Sequence, residues 1–164
     1  PNSGDRGEGG MSSTDSAMRA LYNDKLMAFA NDIPLQHRLE EPDATVQRRS
    51  PLCGSRITVD LKVKGGKVAD YGHVVRACTL GQAAASIMAR RVIGEDTSVL
   101  LAIAEAVRQM LKDGVAPSDD LWPELQMIAP AHEYKSRHGS VLLAFEAVED
   151  AIQSISQGQE QAVG

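Results

Sequence analysis

A segment of alternating apolar and polar residues with a double glycine at its centre constrains the fold of this chain most strongly. Apolar side chains at every second position from Ile57 to Val63 predict a half-buried β-strand. Gly65 and Gly66 supply the two positive-φ positions of a tight hairpin turn, so Val68 to Val75 should return as an antiparallel strand. We expect a β-bulge near Gly72, because an uninterrupted register would place an aspartate on the apolar face.

Amphipathic helices are predicted for most of the remaining chain, together with one further strand. Apolar residues recur every three or four positions on both sides of the hairpin, as they do on one face of a helix. A stretch with two prolines, residues 32–43, indicates a loop, and residues 44–49 follow it as a short polar strand. The predicted helices cover Ser16 to Asn31, Leu80 to Val92, Ser98 to Lys112, a turn opened by Trp122 and Pro123 and capped by Asp120, and a last long helix that begins at Ser136 or His138.

These elements predict a single domain of the α+β class. We expect a small three-stranded antiparallel sheet with several helices packed on one face. The domain should cover residues 15–156, between a flexible tail or cloning remnant over residues 1–14 and a frayed tail over residues 157–164. Aromatic residues make up only 4% of the chain, so the core must consist mainly of aliphatic side chains and methionine.

Composition and charge disfavour several classes of protein. No apolar run approaches the ~20 residues that span a bilayer, and no secretory signal is visible, so we expect no membrane association. Two cysteines in 164 residues are not a disulfide framework, and they favour the reducing cytoplasm. A net charge of −5 without a basic run is unsuited to nucleic acid. The pairs Arg48–Arg49 and Arg90–Arg91 are predicted to be solvated surface.

Both cysteines lie at the same distance from the predicted hairpin turn. Cys53 precedes Gly65 by twelve residues and Cys78 follows Gly66 by twelve, so strand pairing should bring the two thiols together. Cys78 also directly precedes a helix, whose dipole favours a thiolate, the form that binds metal or attacks sulfur. We therefore predict that the two thiols share one ligand. The alternatives are two small buried apolar side chains, or a disulfide in an oxidising compartment.

His138 is the histidine best placed to join this site, because it lies at or near the start of the last helix. With Cys53 and Cys78 it would supply three ligands to zinc, and water or a partner would supply the fourth. The alternative is a surface or capping histidine. For the other histidines we expect solvent-facing positions for His37 and His132, and a satisfied strand-edge position for His73.

Three segments of the chain resemble the U-type iron–sulfur cluster scaffold family, which includes the IscU, SufU and NifU N-terminal proteins. They are PLCGSRITVDLKV, ACTLGQAAASIMARRVIG and RHGSVLLAFEAV, and the likeness extends from the helix with Leu21 to the last helix near Ile155. The family holds one metal or cluster with three cysteines and an aspartate. Cys53 matches the first cysteine and Cys78 matches the second, which the resemblance marks as cluster-binding residues.

The other two positions of the family's ligand set differ in this chain. Ser55 stands where the family has its aspartate. The third cysteine is replaced by Ser140 when the LLAF stretch is aligned, which makes Ser140 a candidate cofactor-binding position. It is replaced by Gly139 when His138 is matched to the family's histidine. The LPPVK-like chaperone-binding stretch of the IscU branch is missing as well.

The resemblance implies a scaffold or sulfur acceptor in iron–sulfur cluster assembly rather than an enzyme. Its cofactor would be a transient iron–sulfur cluster or zinc, and its partners a cysteine desulfurase and other assembly proteins. Two cysteines and a histidine underfill a four-ligand site, so a homo-oligomer or outside thiols such as glutathione would complete it. The alternative is a degenerate adaptor that docks to the assembly machinery without binding metal. A thiol–disulfide enzyme is disfavoured without a CxxC motif, and Ser140 has no GxSxG context, so we predict no catalytic residue.

Overall fold

A three-stranded antiparallel sheet and five α-helices make up the part of the chain that the computed structural model describes, residues 13–52 and 54–163. The α+β prediction is confirmed. The helices are α1 (Ser13–Leu21), α2 (Asp24–Asn31), α3 (Thr79–Arg91), α4 (Thr97–Asp113) and α5 (His138–Val163), the strands are β1 (Ala44–Arg49), β2 (Arg56–Lys64) and β3 (Lys67–Arg76), and two 3₁₀ segments cover Pro123–Glu133 and Lys135–Arg137.

The predicted hairpin forms the centre and one edge of the sheet. The strand order is β1–β2–β3, and both neighbouring pairs are antiparallel. Gly65 and Gly66 join β2 to β3 with φ values of 61° and 76°, which explains why two glycines stand there. The short polar strand before the hairpin is also present as predicted, and β1 pairs with β2 along its whole length.

A β-bulge interrupts the hairpin, but it lies at Ala69 rather than near Gly72 as predicted. The extra residue shifts the register by one, so Asp70 pairs with Lys62 and not with Leu61. Asp70 is therefore exposed on the outer face, while Leu61 is fully buried on the inner face. The shift has to precede Asp70 in the chain, because only then does this carboxylate reach water.

Two predictions about helix ends were wrong. The single helix expected over Ser16 to Asn31 is two helices, α1 and α2. Asn23 separates them, because its side chain accepts a hydrogen bond from the Leu26 N–H at 2.9 Å and so caps α2. The first 3₁₀ segment is preceded by Trp122 in an extended conformation without a side-chain cap, so Asp120 does not have the predicted capping role.

The helices pack on the inner face of the sheet, as predicted. Helix α5 lies against β1 and β2, and α3 lies between α5, α2 and the β3 side of the sheet. The core is mainly aliphatic, and Tyr71 and Phe145 are its largest fully buried side chains. Among the helices that the structure describes, none combines the length and apolar character of a membrane span. The predicted domain boundaries stay predictions.

The loop between α2 and β1 covers the middle of the outer face. Asp60 is fully buried under it and accepts hydrogen bonds from Arg38, from Thr45 and from the Leu39 N–H. Burial acts to raise the pKa of Asp60, but these hydrogen bonds outweigh it and hold the pKa below its ordinary value. The loop backbone also packs on Gly72, where a Cβ would come within 2.3 Å of a carbonyl oxygen. The loop does not extend over the outer face near the open end of the hairpin.

His73 is a buried residue of the edge strand β3 with satisfied hydrogen bonds. Its Nε2 donates to the Pro34 carbonyl oxygen at 2.8 Å, and its backbone N–H donates to the Leu35 carbonyl oxygen at 3.1 Å. Burial lowers the pKa of His73, although the hydrogen bond to Pro34 partly opposes this effect. The structure thus places this histidine as the sequence predicted.

Candidate functional site

Three segments that are distant in sequence meet at the open end of the hairpin. They are the loop between β1 and β2, the junction between β3 and α3, and the first turn of α5. The Sγ of Cys78 lies 3.1 Å from the Oγ of Ser140, and the Ser140 hydroxyl donates to the Oγ of Ser55 at 3.3 Å. The backbone N–H of Cys78 also approaches the Ser55 Oγ at 3.4 Å. We call Ser55, Cys78 and Ser140 the Ser–Cys–Ser cluster.

Cys53 lies outside the described residues, and its predicted role stays a prediction. The two ends of its loop are described. The Ser50 N–H donates to the Ser55 carbonyl oxygen at 2.7 Å, and the Gly54 N–H donates to the Ser50 carbonyl oxygen at 3.0 Å. Gly54 has a φ of 71°, a conformation that favours glycine. These contacts hold both ends of the loop beside the Ser–Cys–Ser cluster.

Cys78 is a half-buried free thiol at the N-terminus of α3. Its backbone is extended, with φ −66° and ψ 169°, and its carbonyl oxygen accepts the first hydrogen bond of the helix from Gln82 at 2.9 Å. The N–H groups of the first helical turn and the helix dipole favour negative charge at this position. Cys78 therefore combines access to solvent with a position at the positively polarised end of a helix.

The two serine hydroxyls can stabilise Cys78 with or without its proton. Ser55 is 3% exposed and Ser140 is fully buried, so both hydroxyls depend on partners within the protein. When Ser140 donates to Ser55, the Cys78 thiol donates to Ser140. When Cys78 is a thiolate, rotation of the Ser140 hydroxyl turns its proton towards the sulfur. This assignment of protons follows from the acceptors that surround each group.

Two glycines determine which residue of α5 faces Cys78. A Cβ on Gly81 would lie 2.5 Å from the Ser140 Oγ, so the missing side chain of Gly81 lets α3 approach α5. A Cβ on Gly139 would instead lie 2.9 Å from the Ser50 Oγ. Ser140 is thus the α5 residue in contact with Cys78, and Gly139 is directed towards the loop.

The structure places the candidate ligand His138 against backbone carbonyls. Its Nε2 lies 3.0 Å from the Ala131 oxygen and 3.2 Å from the His132 oxygen. Carbonyl oxygens only accept hydrogen bonds, so Nε2 carries a proton and only Nδ1 is left for a metal. Its role as a ligand stays a prediction. His132 is half-buried and bonded to the Leu111 oxygen at 2.7 Å rather than solvent-facing, whereas His37 is exposed as predicted.

Three further residues near the cluster were not singled out by the sequence. They are Ser50, Tyr22 and Arg137. Ser50 is 2% exposed and begins the loop that Ser55 ends. The sequence shows a serine at each end of this loop. Burial raises the pKa of Tyr22, while Arg137 lowers it and Cys78 raises it. Tyr22 is therefore an electrostatic neighbour of both Arg137 and Cys78, although no sequence pattern links it to them.

The described donors do not fit a resident zinc ion. Zinc is held by thiolate, imidazole or carboxylate groups, whereas Ser55 and Ser140 supply neutral hydroxyls. Within residues 13–52 and 54–163, no group of three or more histidine, cysteine, aspartate or glutamate side chains could hold a metal ion. Adding Cys53 to Cys78 would bring the set to two thiolates, still short of four strong ligands.

A family model described as the NifU-like N terminal domain matches residues 21–157. The chain belongs to this family. The match begins at the end of α1 and runs into α5, so it includes all three segments that form the Ser–Cys–Ser cluster. The assignment to the U-type scaffold family is thereby confirmed.

Two curated relatives resemble this NifU-like chain over nearly their whole length. The iron-sulfur cluster assembly scaffold protein IscU of Thermotoga maritima is 24% identical over 139 residues, which cover 85% of this chain and 97% of the relative. The zinc-dependent sulfurtransferase SufU of Bacillus subtilis is 22% identical over 140 residues, which cover 85% of this chain and 95% of the relative.

Solved structures share the fold. The crystal structure of a nitrogen-fixing NifU-like protein (N-terminal) from Brucella abortus superposes with a TM-score of 0.84 at 40% identity, covering 86% of this chain and 98% of that one. A putative iron-sulfur cluster assembly scaffold protein for the SUF system from Fervidobacterium islandicum gives a TM-score of 0.75 at 18% identity, covering 82% and 98%. The second likeness concerns the fold alone.

Proposed function

We propose that this NifU-like protein is a sulfur acceptor and scaffold in iron–sulfur cluster assembly, with Cys78 and Cys53 as the thiols that take the cargo. The observation that carries the proposal is the placement of Cys78. Its half-buried thiol lies at a helix N-terminus, 3.1 Å from Ser140 and beside the loop that contains Cys53. Relatives named as a scaffold and as a sulfurtransferase support the same function.

Sulfur transfer to Cys78 requires no other reactant than a persulfide on the donor protein. The Cys78 thiolate attacks the outer sulfur of that persulfide and forms a new S–S bond. The S–S bond of the donor breaks, and the donor leaves as a thiolate that takes up a proton. Before the attack the Ser140 hydroxyl donates a hydrogen bond to the thiolate and keeps its proton, and the N-terminus of α3 stabilises the negative charge.

Iron and sulfide are cargo in this proposal. Two thiolates and two neutral hydroxyls are a weak ligand set, so a cluster built here would be held briefly and passed on. A second copy of the chain, or a small thiol such as glutathione, would supply the missing ligands. The partners are a cysteine desulfurase and other assembly proteins of the cytoplasm, and the chain acts as a carrier rather than as an enzyme with its own turnover.

A degenerate adaptor is the second candidate, and the two serines favour it. Ser55 and Ser140 occupy positions where the family has an aspartate and a cysteine, and both serines are buried in hydrogen bonds that need no metal. Such a protein would dock to the assembly machinery and leave its thiols unmodified.

Mass spectrometry after anaerobic incubation with a cysteine desulfurase and cysteine separates the two candidates. The sulfur acceptor gains sulfur on Cys78 or Cys53, and the Cys78→Ala variant loses the modification at position 78. Cys53→Ala is the matched control, because it leaves the Ser–Cys–Ser cluster intact. A wild-type protein that binds the desulfurase and gains no sulfur on either thiol is an adaptor.

A further inference from the structure

Three arginines stand side by side across the open end of the sheet. Arg56 of β2 pairs with Arg49 of β1 on one side and with Arg76 of β3 on the other. Residues that pair directly point to the same face, and Arg56 shares the outer face with Asp60 because the side chains of a strand alternate. Neighbouring strands lie about 4.8 Å apart, so the three residues fit within ~10 Å. We call them the arginine row.

The arginine row has no anionic partner in the described part of the chain. All three side chains are exposed, and none takes part in the hydrogen bonds or ion pairs found there. Like charges directly opposite one another destabilise a sheet, so the fold alone gives no reason for this arrangement. The chain satisfies other arginines with its own carboxylates, at Arg38, Arg48, Arg90, Arg91 and Arg108.

The row adjoins the Ser–Cys–Ser cluster along all three strands. A molecule that reaches the thiol from the open end of the sheet therefore approaches the sheet end whose outer face carries the three arginines. Each arginine is one or two residues from a residue of the site, with Arg49 next to Ser50, Arg56 next to Ser55, and Arg76 two residues before Cys78.

Exposed apolar side chains border the arginine row. Leu52, in the loop after β1, is 76% exposed, and Val74 is 41% exposed on the outer face of β3, two residues from Arg76. Arginine beside apolar groups is typical of protein–protein interfaces. Nucleic acid is less suited, because a typical site neutralises about six or more phosphates with clustered cations, and this chain has a net charge of −5.

We propose that the arginine row, together with Leu52 and Val74, docks an acidic surface segment of the protein that exchanges sulfur with Cys78. The identity of the cargo rests on the proposed function, whereas the charge of the partner follows from the row itself. Carboxylates of the partner would form bidentate hydrogen bonds with the guanidinium groups, and the apolar pair would exclude water beside them. The docked partner then lies at the rim of the thiol site.

Fluorescence anisotropy with a labelled oligoglutamate peptide tests the docking surface. A peptide of about ten residues spans the row, since an extended chain covers ~3.3 Å per residue. Each single change of Arg49, Arg56 or Arg76 to Gln should weaken binding about two- to fivefold at low salt, and the triple change should abolish measurable binding. The triple change to Lys should retain more affinity than the triple change to Gln.

A charge-matched control separates the row from net charge. Arg19→Gln, Lys64→Gln and Lys112→Gln together remove the same three charges from exposed positions elsewhere, and this variant should keep binding within about twofold. An equal loss in the control would overturn the proposal. So would oligothymidylate of the same length, if it bound more tightly than the peptide with the same arginine dependence.

Two further measurements keep this test independent of the proposed function. Cys78→Ala should bind the peptide as the wild type does, and a loss of binding there would contradict a docking role for the arginines. The triple Gln variant should take up iron and free sulfide as the wild type does, since no docking is needed for them. Its melting temperature should be equal or higher, because like-charge repulsion is removed, and a lower one would mean that the row stabilises the fold.

Discussion

The Sγ of Cys78 and the Oγ of Ser140 lie 3.1 Å apart, although 62 residues separate them in the chain. This contact joins the N-termini of α3 and α5. It also identifies the α5 residue that faces the thiol, because Gly139 is directed towards Ser50. The two alignments place the family's third cysteine at Ser140 or at Gly139. The geometry agrees with the alignment based on the LLAF stretch, which gives Ser140.

Completing the ligand set should tighten metal binding. Ser140→Cys adds a thiolate beside Cys78, and Ser55→Asp adds a carboxylate where the family has one. Together they should strengthen zinc binding by at least about tenfold, which requires only ~1.4 kcal/mol from the added ligands. Competition with a chromophoric chelator, run on the wild type and the double variant, measures this change.

Gly139→Cys is the matched control for the added thiolate. Its side chain would start 2.9 Å from the Ser50 Oγ and point away from Cys78, so zinc affinity should stay near the wild-type value. A gain from Gly139→Cys combined with none from Ser140→Cys would show that Gly139, and not Ser140, faces Cys78.

Gly81→Ala should destabilise the protein, although alanine is the better helix former. The new Cβ would lie 2.5 Å from the Ser140 Oγ and 2.8 Å from the Ala77 Cβ, and two such contacts put the cost in the upper part of the usual range of about 1–3 kcal/mol, above the ~1 kcal/mol gained from helix propensity. Gly158→Ala, in α5, meets nothing within 4 Å and should stabilise the protein instead. Urea unfolding of both variants checks the opposite signs, and equal behaviour would contradict the close approach of α3 to α5.

Stability should fall as the pH drops below about 6.5, because burial lowers the pKa of His73 in the folded state. The unfolded chain then binds a proton before the folded chain does, so this contribution is complete above the unfolded pKa and is lost on acidification. His73→Gln should flatten the dependence of the urea midpoint between about pH 7 and 5. The lowered pKa of Asp60 acts in a separate, more acidic range. An unaltered slope in His73→Gln would show that this histidine is not the group that titrates.

The local patterns of the sequence predict most of the fold, and register limits the prediction of the site. The alternation from Ile57 to Val63 and the double glycine specify a hairpin, because side-chain period and turn chemistry agree. The bulge lies at Ala69 because Asp70 has to face water. Which face of the sheet is open to water depends on helices elsewhere in the chain. Asn23 interrupts a helical pattern through one side-chain hydrogen bond, which periodicity does not detect.

The arginine row is a surface feature that local sequence patterns also do not predict. Arg49, Arg56 and Arg76 are unremarkable in sequence, because two of them are isolated cations and the first follows Arg48. Only the pairing of three strands brings them into one line. Sequence alone likewise left two alignments open for the start of the last helix. Only the packing of α5 on α3 shows that Ser140 contacts Cys78.

The iron and sulfide content of anaerobically reconstituted protein tests the central claim most directly. We predict that the wild type takes up both, and that Cys53→Ala, Cys78→Ala and the double variant take up neither while keeping the wild-type circular dichroism and melting temperature. The site lies at the end of the sheet outside the main core, so loss of a thiol should cost little stability. A double variant that retains the wild-type content of iron and sulfide would show that these two cysteines do not hold the cargo.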